Sequence, residues 1–235
     1  MITISKALQA VQARILRAAM RCGRSPDSIT LIAVSKTVSA AALRAAFEAG
    51  QQAFGESYVQ EALQKIAVLQ DLAITWHFIG PLQSNKTKLV AENFAWVHSV
   101  DRAKIAQRLS NQRPAHLPAL NVCLQVNVSG EASKAGVAPA EVAALARAVA
   151  TLPKIKLRGL MAIPEATQVV AQQHVQFERL RRLYDQLRAQ GMALDTLSMG
   201  MSGDLEVAIA EGATQIRVGS AIFGVRFKDG EVNGL

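Results

Sequence analysis

Short apolar runs alternate with longer stretches of helical periodicity along the whole chain. The runs are continuously hydrophobic, which is typical of strands that are covered on both faces. They predict eight strands, at residues 31–35, 52–55, 75–79, 96–98, 119–128, 156–161, 196–199 and 215–218.

Helices are predicted between many of these strands, because polar caps and glycine stops flank the periodic stretches. Ser39, Asp101 and Ser202 are expected to cap helices, and Pro139 suits the first turn of another. The predicted helices span residues 39–50, 56–69, 101–109, 139–151, 168–190 and 202–212.

An additional helix is predicted within the first 26 residues. Residues 5–24 contain arginine but no acidic residue, so that a transit peptide is an alternative interpretation. The apolar stripe of Leu8, Val11, Ile15, Leu16 and Ala19 instead favours a helix that packs on the rest of the protein. We expect an integral helix and no secretory signal.

Eight strands in 235 residues predict an α/β fold, a single (β/α)8 TIM barrel that spans residues 1–235. A doubly wound open sheet is the competing architecture, and it usually has a glycine-rich turn after its first strand. Here that turn reads Ser35-Lys36-Thr37-Val38-Ser39 and contains no glycine. The barrel is therefore the better interpretation.

Composition narrows the classes of partner. Half of the residues are hydrophobic, and no apolar run approaches the roughly 20 residues of a membrane span. Cys22 and Cys123 match no metal or redox spacing, which favours a cytoplasmic protein without a metal. The net charge of +8 is dispersed, and aromatic residues make up only 5%. We expect neither nucleic acid nor a membrane as partner, and the charge indicates either small anionic ligands or a diffuse solvated surface.

Lys36 is the first candidate functional residue, because functional groups of such barrels stand at the carboxyl ends of the strands. A lysine amine at that place can form a Schiff base with an aldehyde. The alternative is an ordinary surface lysine that closes a strand. His77 and His98 are expected at the same rim, where they are either bases or bond the rim backbone.

Two turns after the seventh and eighth strands indicate a phosphate site, since such barrels often bind phosphate there. Ser202 and Gly203 belong to the first turn, and Gly219 and Ser220 belong to the second. Their glycines let backbone N–H groups approach an anion, although serine-glycine turns also cap helices in many proteins.

Arg217 lies in the otherwise apolar eighth strand and therefore needs a partner, because an unpaired buried charge is costly. Glu206, Glu211 or another carboxylate is one alternative. The other is a ligand whose ring nitrogen or phosphate lies beside the guanidinium.

An ordered series of motifs runs from the N-terminal helix to about residue 226. The motifs are Ala33-Val34-Ser35-Lys36-Thr37, Phe54-Gly55-Glu56, Trp76-His77-Phe78-Ile79-Gly80, Leu82-Gln83-Ser84-Asn85-Lys86, Gly159-Leu160-Met161, Leu197-Ser198-Met199-Gly200-Met201-Ser202 and Arg217-Val218-Gly219-Ser220. This series resembles the pyridoxal phosphate homeostasis protein family.

The resemblance implies a barrel like the N-terminal domain of alanine racemase, with pyridoxal 5'-phosphate (PLP) bound to Lys36 as a Schiff base. It also implies that Arg217 faces the pyridine nitrogen and that Lys134 is a second lysine near the site with a role in cofactor transfer. The implied phosphate contacts are Ser202, Gly203, Gly219 and Ser220, and the further candidate contacts are His77, Asn85 and Met161.

One position departs from the family pattern. Ser57 stands where the family usually has asparagine. A hydroxyl cannot offer the paired donor and acceptor of an amide, so the contact that this asparagine makes is in doubt.

The implied function is to bind, buffer and deliver PLP without robust catalysis. Alanine racemase uses a second base, a tyrosine from a second domain, and neither Tyr58 nor Tyr184 is clearly placed for that role. An arginine beside the ring nitrogen also weakens the electron sink of PLP chemistry. The implied partners are PLP-dependent apoenzymes, and a monomer is expected.

Two alternatives from other classes stay open. One is a PLP-dependent racemase or Schiff-base lyase that uses Lys36. The other is a basic protein that associates with RNA or a membrane and binds no cofactor.

Overall fold

The computed structural model describes residues 3–130 and 134–224. Within these residues, parallel strands form a closed barrel in which each strand pairs with the next and β8 pairs with β1. The strands are β1 (Thr30–Val34), β2 (Ala53–Glu56), β3 (Thr75–Phe78), β4 (Trp96–Val100), β5 (Leu120–Gln125), β6 (Ile155–Met161), β7 (Thr196–Ser198) and β8 (Gln215–Val218).

This architecture confirms the predicted barrel, and each predicted strand overlaps an observed one. The largest difference is in the fifth strand, which was predicted to continue to residue 128 but ends at Gln125. Beyond it, Val126 forms an isolated bridge to Val137 in the loop after β5. Backbone groups of Gln125 and Asn127 are hydrogen-bonded to Val137 in this loop.

Helices cover the outside of the barrel. They are α1 (Ile4–Arg21), α2 (Ala40–Glu48), α3 (Val59–Val68), α4 (Thr87–Asn93), α5 (Ala103–Gln112), α6 (Val142–Ala150), α7 (Val170–Ala189), α8 (Leu205–Ala210) and α9 (Ser220–Phe223). The sequence patterns missed α4 and α9, because helices of seven and four residues are too short to show a clear period.

The predicted helix caps had mixed outcomes. Ser39 caps α2 as expected, since its hydroxyl accepts from the N–H of Ala42 at 3.3 Å. Asp101 and Ser202 were wrong as caps: α5 and α8 begin one turn or less downstream, after Arg102 and Asp204. The carboxylate of Asp101 instead pairs with Arg102.

Helix α1 packs on the barrel, as predicted, against α2, α8 and α9. It buries Leu8, Val11, Ile15 and Ala19 of the predicted stripe together with Ala18. Leu16 was wrongly placed in the buried stripe, because it is 45% exposed and lines a cavity at the amino end of the barrel.

The two ends of the barrel differ. A cavity of about 710 Å³ lies at the amino end, between α1 and the starts of several strands. A smaller cavity of about 390 Å³ lies at the carboxyl ends of β1, β7 and β8. No helix in residues 3–130 and 134–224 combines the length and apolarity that crossing a bilayer requires.

Candidate cofactor-binding site

The carboxyl-end cavity brings together residues that are far apart in the sequence. Six residues were predicted to hold PLP directly, and all six line this cavity together with Val34 and Met201. The six are Lys36, Ser202, Gly203, Arg217, Gly219 and Ser220. They meet because β8 pairs with β1 on one side and with β7 on the other, and all three strands run in the same direction.

The turn that carries Lys36 is held by hydrogen bonds on both sides of the lysine. The hydroxyl of Ser35 donates to the carboxylate of Glu56 at 2.6 Å, and the carbonyl of Ser35 accepts from the ammonium of Lys65 at 2.7 Å. The backbone N–H of Thr37 donates to Glu61 at 2.6 Å. Thr37 also has φ of 60°, so these contacts hold a backbone conformation that a β-branched residue rarely adopts.

A charge cluster of buried Glu56 and Lys65 with half-buried Glu61 therefore supports the lysine turn, and we call these three residues the turn clamp. The Lys65 ammonium lies 2.8 Å from Glu56 and also contacts Glu61. Glu56 is fully buried, and this burial raises its pKa, although its bonds to Lys65 and Ser35 act in the opposite direction. Sequence reasoning missed the clamp, because a lysine four residues after a glutamate is usually part of a solvated helix face.

The two phosphate-type turns face each other across the cavity. The hydroxyl oxygens of Ser202 and Ser220 are 3.3 Å apart. Gly200 precedes the first turn with φ of +93°, and a Cβ there would lie 2.5 Å from the Cβ of Ala208. Its carbonyl accepts from the N–H of Arg217 at 3.0 Å, which ties the turn after β7 to β8.

Helix α1 supports the first of these turns directly. The guanidinium of Arg14 donates to the carbonyl of Ser202 at 3.0 Å and binds both carboxylate oxygens of Glu206, at 2.7 and 2.8 Å. The pair with Arg14 lowers the pKa of Glu206. Sequence reasoning treated α1 as a packing element and missed Arg14, since contacts between residues 14 and 202 carry no local signal.

Arg217 is 4% exposed and projects from β8 towards the cavity. Its Nη1 donates to the hydroxyl of Ser198 at 2.7 Å, and its Nη2 donates to the carbonyl of Ala162 at 2.9 Å. Burial lowers the pKa of Arg217 to about 10, so that the side chain is still a cation at neutral pH.

A carboxylate partner for Arg217 is excluded for the described residues, where none of the ion pairs within 4.0 Å involves it. Glu206 pairs with Arg14, and Glu211 pairs with His174 and Arg181. The alternative from the sequence, a ligand beside the guanidinium, stays a prediction.

His77 and His98 were predicted at the rim, and this placement was wrong. Both side chains point into the barrel interior, where the Nδ1 of His77 lies 2.9 Å from the Nε2 of His98. The Nδ1 of His98 lies 2.8 Å from the hydroxyl of Ser198. His77 lines the amino-end cavity instead of the cavity with Lys36. The chain continues beyond both residues within β3 and β4, which places them below the rim.

Both interior histidines are neutral. Burial lowers the pKa of His77 to about 3. Burial lowers the pKa of His98 well below its usual range, and the Arg217 cation and the adjacent His77 ring act in the same direction.

The remaining candidates lie outside the described lining of the cavity. Asn85 is exposed in a short turn after β3, and Met161 is buried at the end of β6. Lys134 is half-buried in the loop after β5, where its carbonyl accepts from the amide of Asn127 at 3.3 Å. Ser57 packs its backbone against Gly80, where a Cβ would lie 2.3 Å from the Ser57 carbonyl oxygen.

The donor set of the cavity fits PLP. The cofactor carries an aldehyde, a phosphate and a pyridine nitrogen, and the cavity offers a primary amine, two hydroxyls on glycine-containing turns and a guanidinium. Each group of the cofactor thus has a chemically matched side chain or turn.

Residues 7–227 match the family described as alanine racemase, N-terminal domain. The chain is 62% identical to the pyridoxal phosphate homeostasis protein of Pseudomonas aeruginosa, over 96% of this chain and 97% of the relative. It is 52% identical to the pyridoxal phosphate homeostasis protein of Escherichia coli, over 95% of this chain and 97% of the relative.

Solved structures with the same fold include PipY of Synechococcus elongatus with PLP bound. That protein is 39% identical, with a TM-score of 0.83, over 94% of this chain and all of PipY. An alanine racemase of Corynebacterium glutamicum is 17% identical, with a TM-score of 0.66, and this chain covers 62% of it. The racemase therefore shares the fold of this chain.

The turn clamp should dominate the stability of the barrel near Lys36. Replacing Lys65 by methionine leaves Glu56 buried without its cation, and we expect a loss of about 3–5 kcal/mol in the free energy of unfolding. The control is Lys88→Met, which removes an exposed ammonium 3.8 Å from Glu92 and should cost about 0–1 kcal/mol. Urea unfolding measures both, and equal losses would contradict a special role of the clamp.

The interior histidines predict a loss of stability in acid. Below about pH 6.5 histidines of the unfolded chain take up protons, whereas His77 in the folded protein stays neutral down to about pH 3. The free energy of unfolding should therefore fall by about 1.4 kcal/mol per pH unit for each such histidine.

Urea unfolding between pH 6 and pH 5 tests this dependence on His77→Gln, whose amide oxygen can still accept from His98. The slope with pH should be smaller than in the unmodified protein. His116→Gln changes an exposed histidine and is the matched control. An unchanged slope in His77→Gln would show that the interior histidine is not responsible.

Proposed function

Because this chain belongs to the pyridoxal phosphate homeostasis protein family, we propose that it binds PLP as a Schiff base on Lys36 and buffers or delivers it. The observation that carries the proposal is the meeting of Lys36, Arg217 and the two serine-glycine turns in one cavity of about 390 Å³. PLP is bound to the related PipY, which has the same fold.

Each part of the cavity has a distinct role in holding the cofactor. The Lys36 nitrogen bonds to the aldehyde carbon, the aldehyde oxygen leaves as water, and hydrolysis of the same bond releases the cofactor. Backbone N–H groups and hydroxyls of the turns with Ser202 and Ser220 bind the phosphate. Arg217 donates to the pyridine nitrogen and disfavours its protonation, because a second positive charge beside a buried cation is costly.

The same geometry gives poor support for amino-acid turnover. PLP supplies an electron sink to enzymes when its ring nitrogen is protonated, and Arg217 opposes that state. The hydroxyl of Tyr184 donates to the carbonyl of Leu194 at 3.0 Å, and Tyr58 is exposed and outside the described cavity lining. His77 and His98 are neutral but enclosed in the barrel, away from a substrate.

The proposal extends to the domain organisation, the location, the oligomeric state and the partners of the protein. We infer that one PLP-binding domain spans residues 1–235 and acts in the cytoplasm as a monomer. PLP-dependent apoenzymes receive the cofactor. Lys134, in the loop after β5, has a role in its transfer.

The Schiff base is tested by borohydride reduction of the PLP-loaded protein, followed by peptide mass mapping. The added mass of the reduced cofactor should fall on the peptide with Lys36, and Lys36→Ala should lose it. Lys65→Arg keeps a charge in the turn clamp and is a control for a general effect of lysine substitution. Label that falls mainly on another lysine of the unmodified protein would refute the assignment.

A second experiment addresses turnover. The PLP-loaded protein should racemise or transaminate amino acids at rates far below those of ordinary enzymes, about 1–1000 s⁻¹. Alanine and other amino acids are incubated with the protein, and the products are separated by chiral chromatography. A turnover number within the ordinary range would favour the racemase or lyase alternative.

A further inference from the structure

The barrel interior contains a continuous line of polar side chains that ends at the cofactor cavity. It runs from Arg217 to the hydroxyl of Ser198, then to His98 and then to His77, with successive distances of 2.7, 2.8 and 2.9 Å. These four residues come from β8, β7, β4 and β3 and are all at most 4% exposed. No step of the proposed binding chemistry uses Ser198, His98 or His77.

The donor and the acceptor of each hydrogen bond in this line can be assigned from the groups on either side of it. A guanidinium can only donate, so that Ser198 must accept from Arg217. The one proton of the Ser198 hydroxyl then has the Nδ1 of His98 as its acceptor. His98 is neutral, so its proton is on Nε2 and is donated to the Nδ1 of His77.

The reverse direction is unfavourable for two reasons. If His98 donated from Nδ1, the hydroxyl proton of Ser198 would need another acceptor. Among residues 3–130 and 134–224, this fully buried hydroxyl has hydrogen-bond contacts with His98 and Arg217 alone. An unsatisfied buried donor costs about 1–3 kcal/mol. The reverse direction would also point the histidine N–H dipole at the Arg217 cation, whereas the first direction presents lone pairs towards it.

We propose that Ser198, His98 and His77 form a directional hydrogen-bond relay that positions Arg217 for the ring nitrogen of the cofactor. Ser198 and the carbonyl of Ala162 bind two different nitrogens of the guanidinium, which fixes its plane. The relay stabilises the buried cation with oriented dipoles. A carboxylate in their place would neutralise the positive charge. The three residues are positioning residues, and their effect on the cofactor depends on the proposed function.

The first test concerns the relay without PLP. Long-range ¹H–¹⁵N spectra of the ¹⁵N-labelled protein report the tautomer of each histidine ring. His77 and His98 should both be neutral with the proton on Nε2 and should stay so when PLP is added. A proton on Nδ1 of His98, or a charged ring at neutral pH, would overturn the relay irrespective of cofactor binding.

The second test concerns the effect on PLP. Ser198→Ala should raise the dissociation constant for PLP about threefold to tenfold, since one charge-assisted bond to the guanidinium is lost. With ¹⁵N-labelled PLP, the pyridine nitrogen resonance should move downfield, because its hydrogen bond from Arg217 weakens.

Ser110→Ala is the matched control for this test, because the Ser110 hydroxyl is equally buried but bonds the carbonyl of Pro153 on the outer side of the barrel. Affinity and resonance should be unchanged there. If the unmodified protein does not bind PLP, the proposed function fails. If it binds PLP but Ser198→Ala changes neither readout, the relay proposal fails while the proposed function stands.

Discussion

A cation buried in the barrel, with no carboxylate partner in the described part of the chain, is the constraint on which the site depends. Arg217 is 4% exposed, and an unpaired charge at that depth is costly unless dipoles replace water. The hydroxyl of Ser198 and the carbonyl of Ala162 supply those dipoles. The guanidinium therefore stays charged while its positive field reaches the cavity, which suits a ligand that carries phosphate and an unprotonated ring nitrogen.

Lys36 is held in a different way. Its neighbours Ser35 and Thr37 are fixed by the turn clamp, whose central ammonium, Lys65, is 7% exposed between Glu56 and Glu61. Opposite charges thus compensate within the clamp, whereas Arg217 has neutral partners. The lysine turn is rigid through ion pairs, and the arginine is rigid through oriented neutral groups, so that both face the cavity with little reorganisation.

The N-terminal helix belongs to this arrangement as well. By donating to the carbonyl of Ser202, Arg14 couples α1 to the first phosphate-type turn, and its pair with Glu206 anchors α8 to the same helix. The barrel itself supplies the lysine, the arginine and the turns. The helix outside it secures one of those turns through the same face that packs against α8.

The sequence alone determined the barrel, since eight covered strands appear as eight apolar runs. Its local motifs also indicated Lys36, Arg217 and the two serine-glycine turns as candidates for a ligand site. It could not locate the turn clamp, Arg14 or the interior line from Ser198 to His77. It also placed His77 and His98 at the carboxyl-end rim, although both lie inside the barrel. Those contacts join residues up to 192 positions apart, as between Arg14 and Glu206. Local patterns report the period and the end of an element, whereas the partner of a buried polar group is decided by which strands and helices become neighbours when the barrel closes.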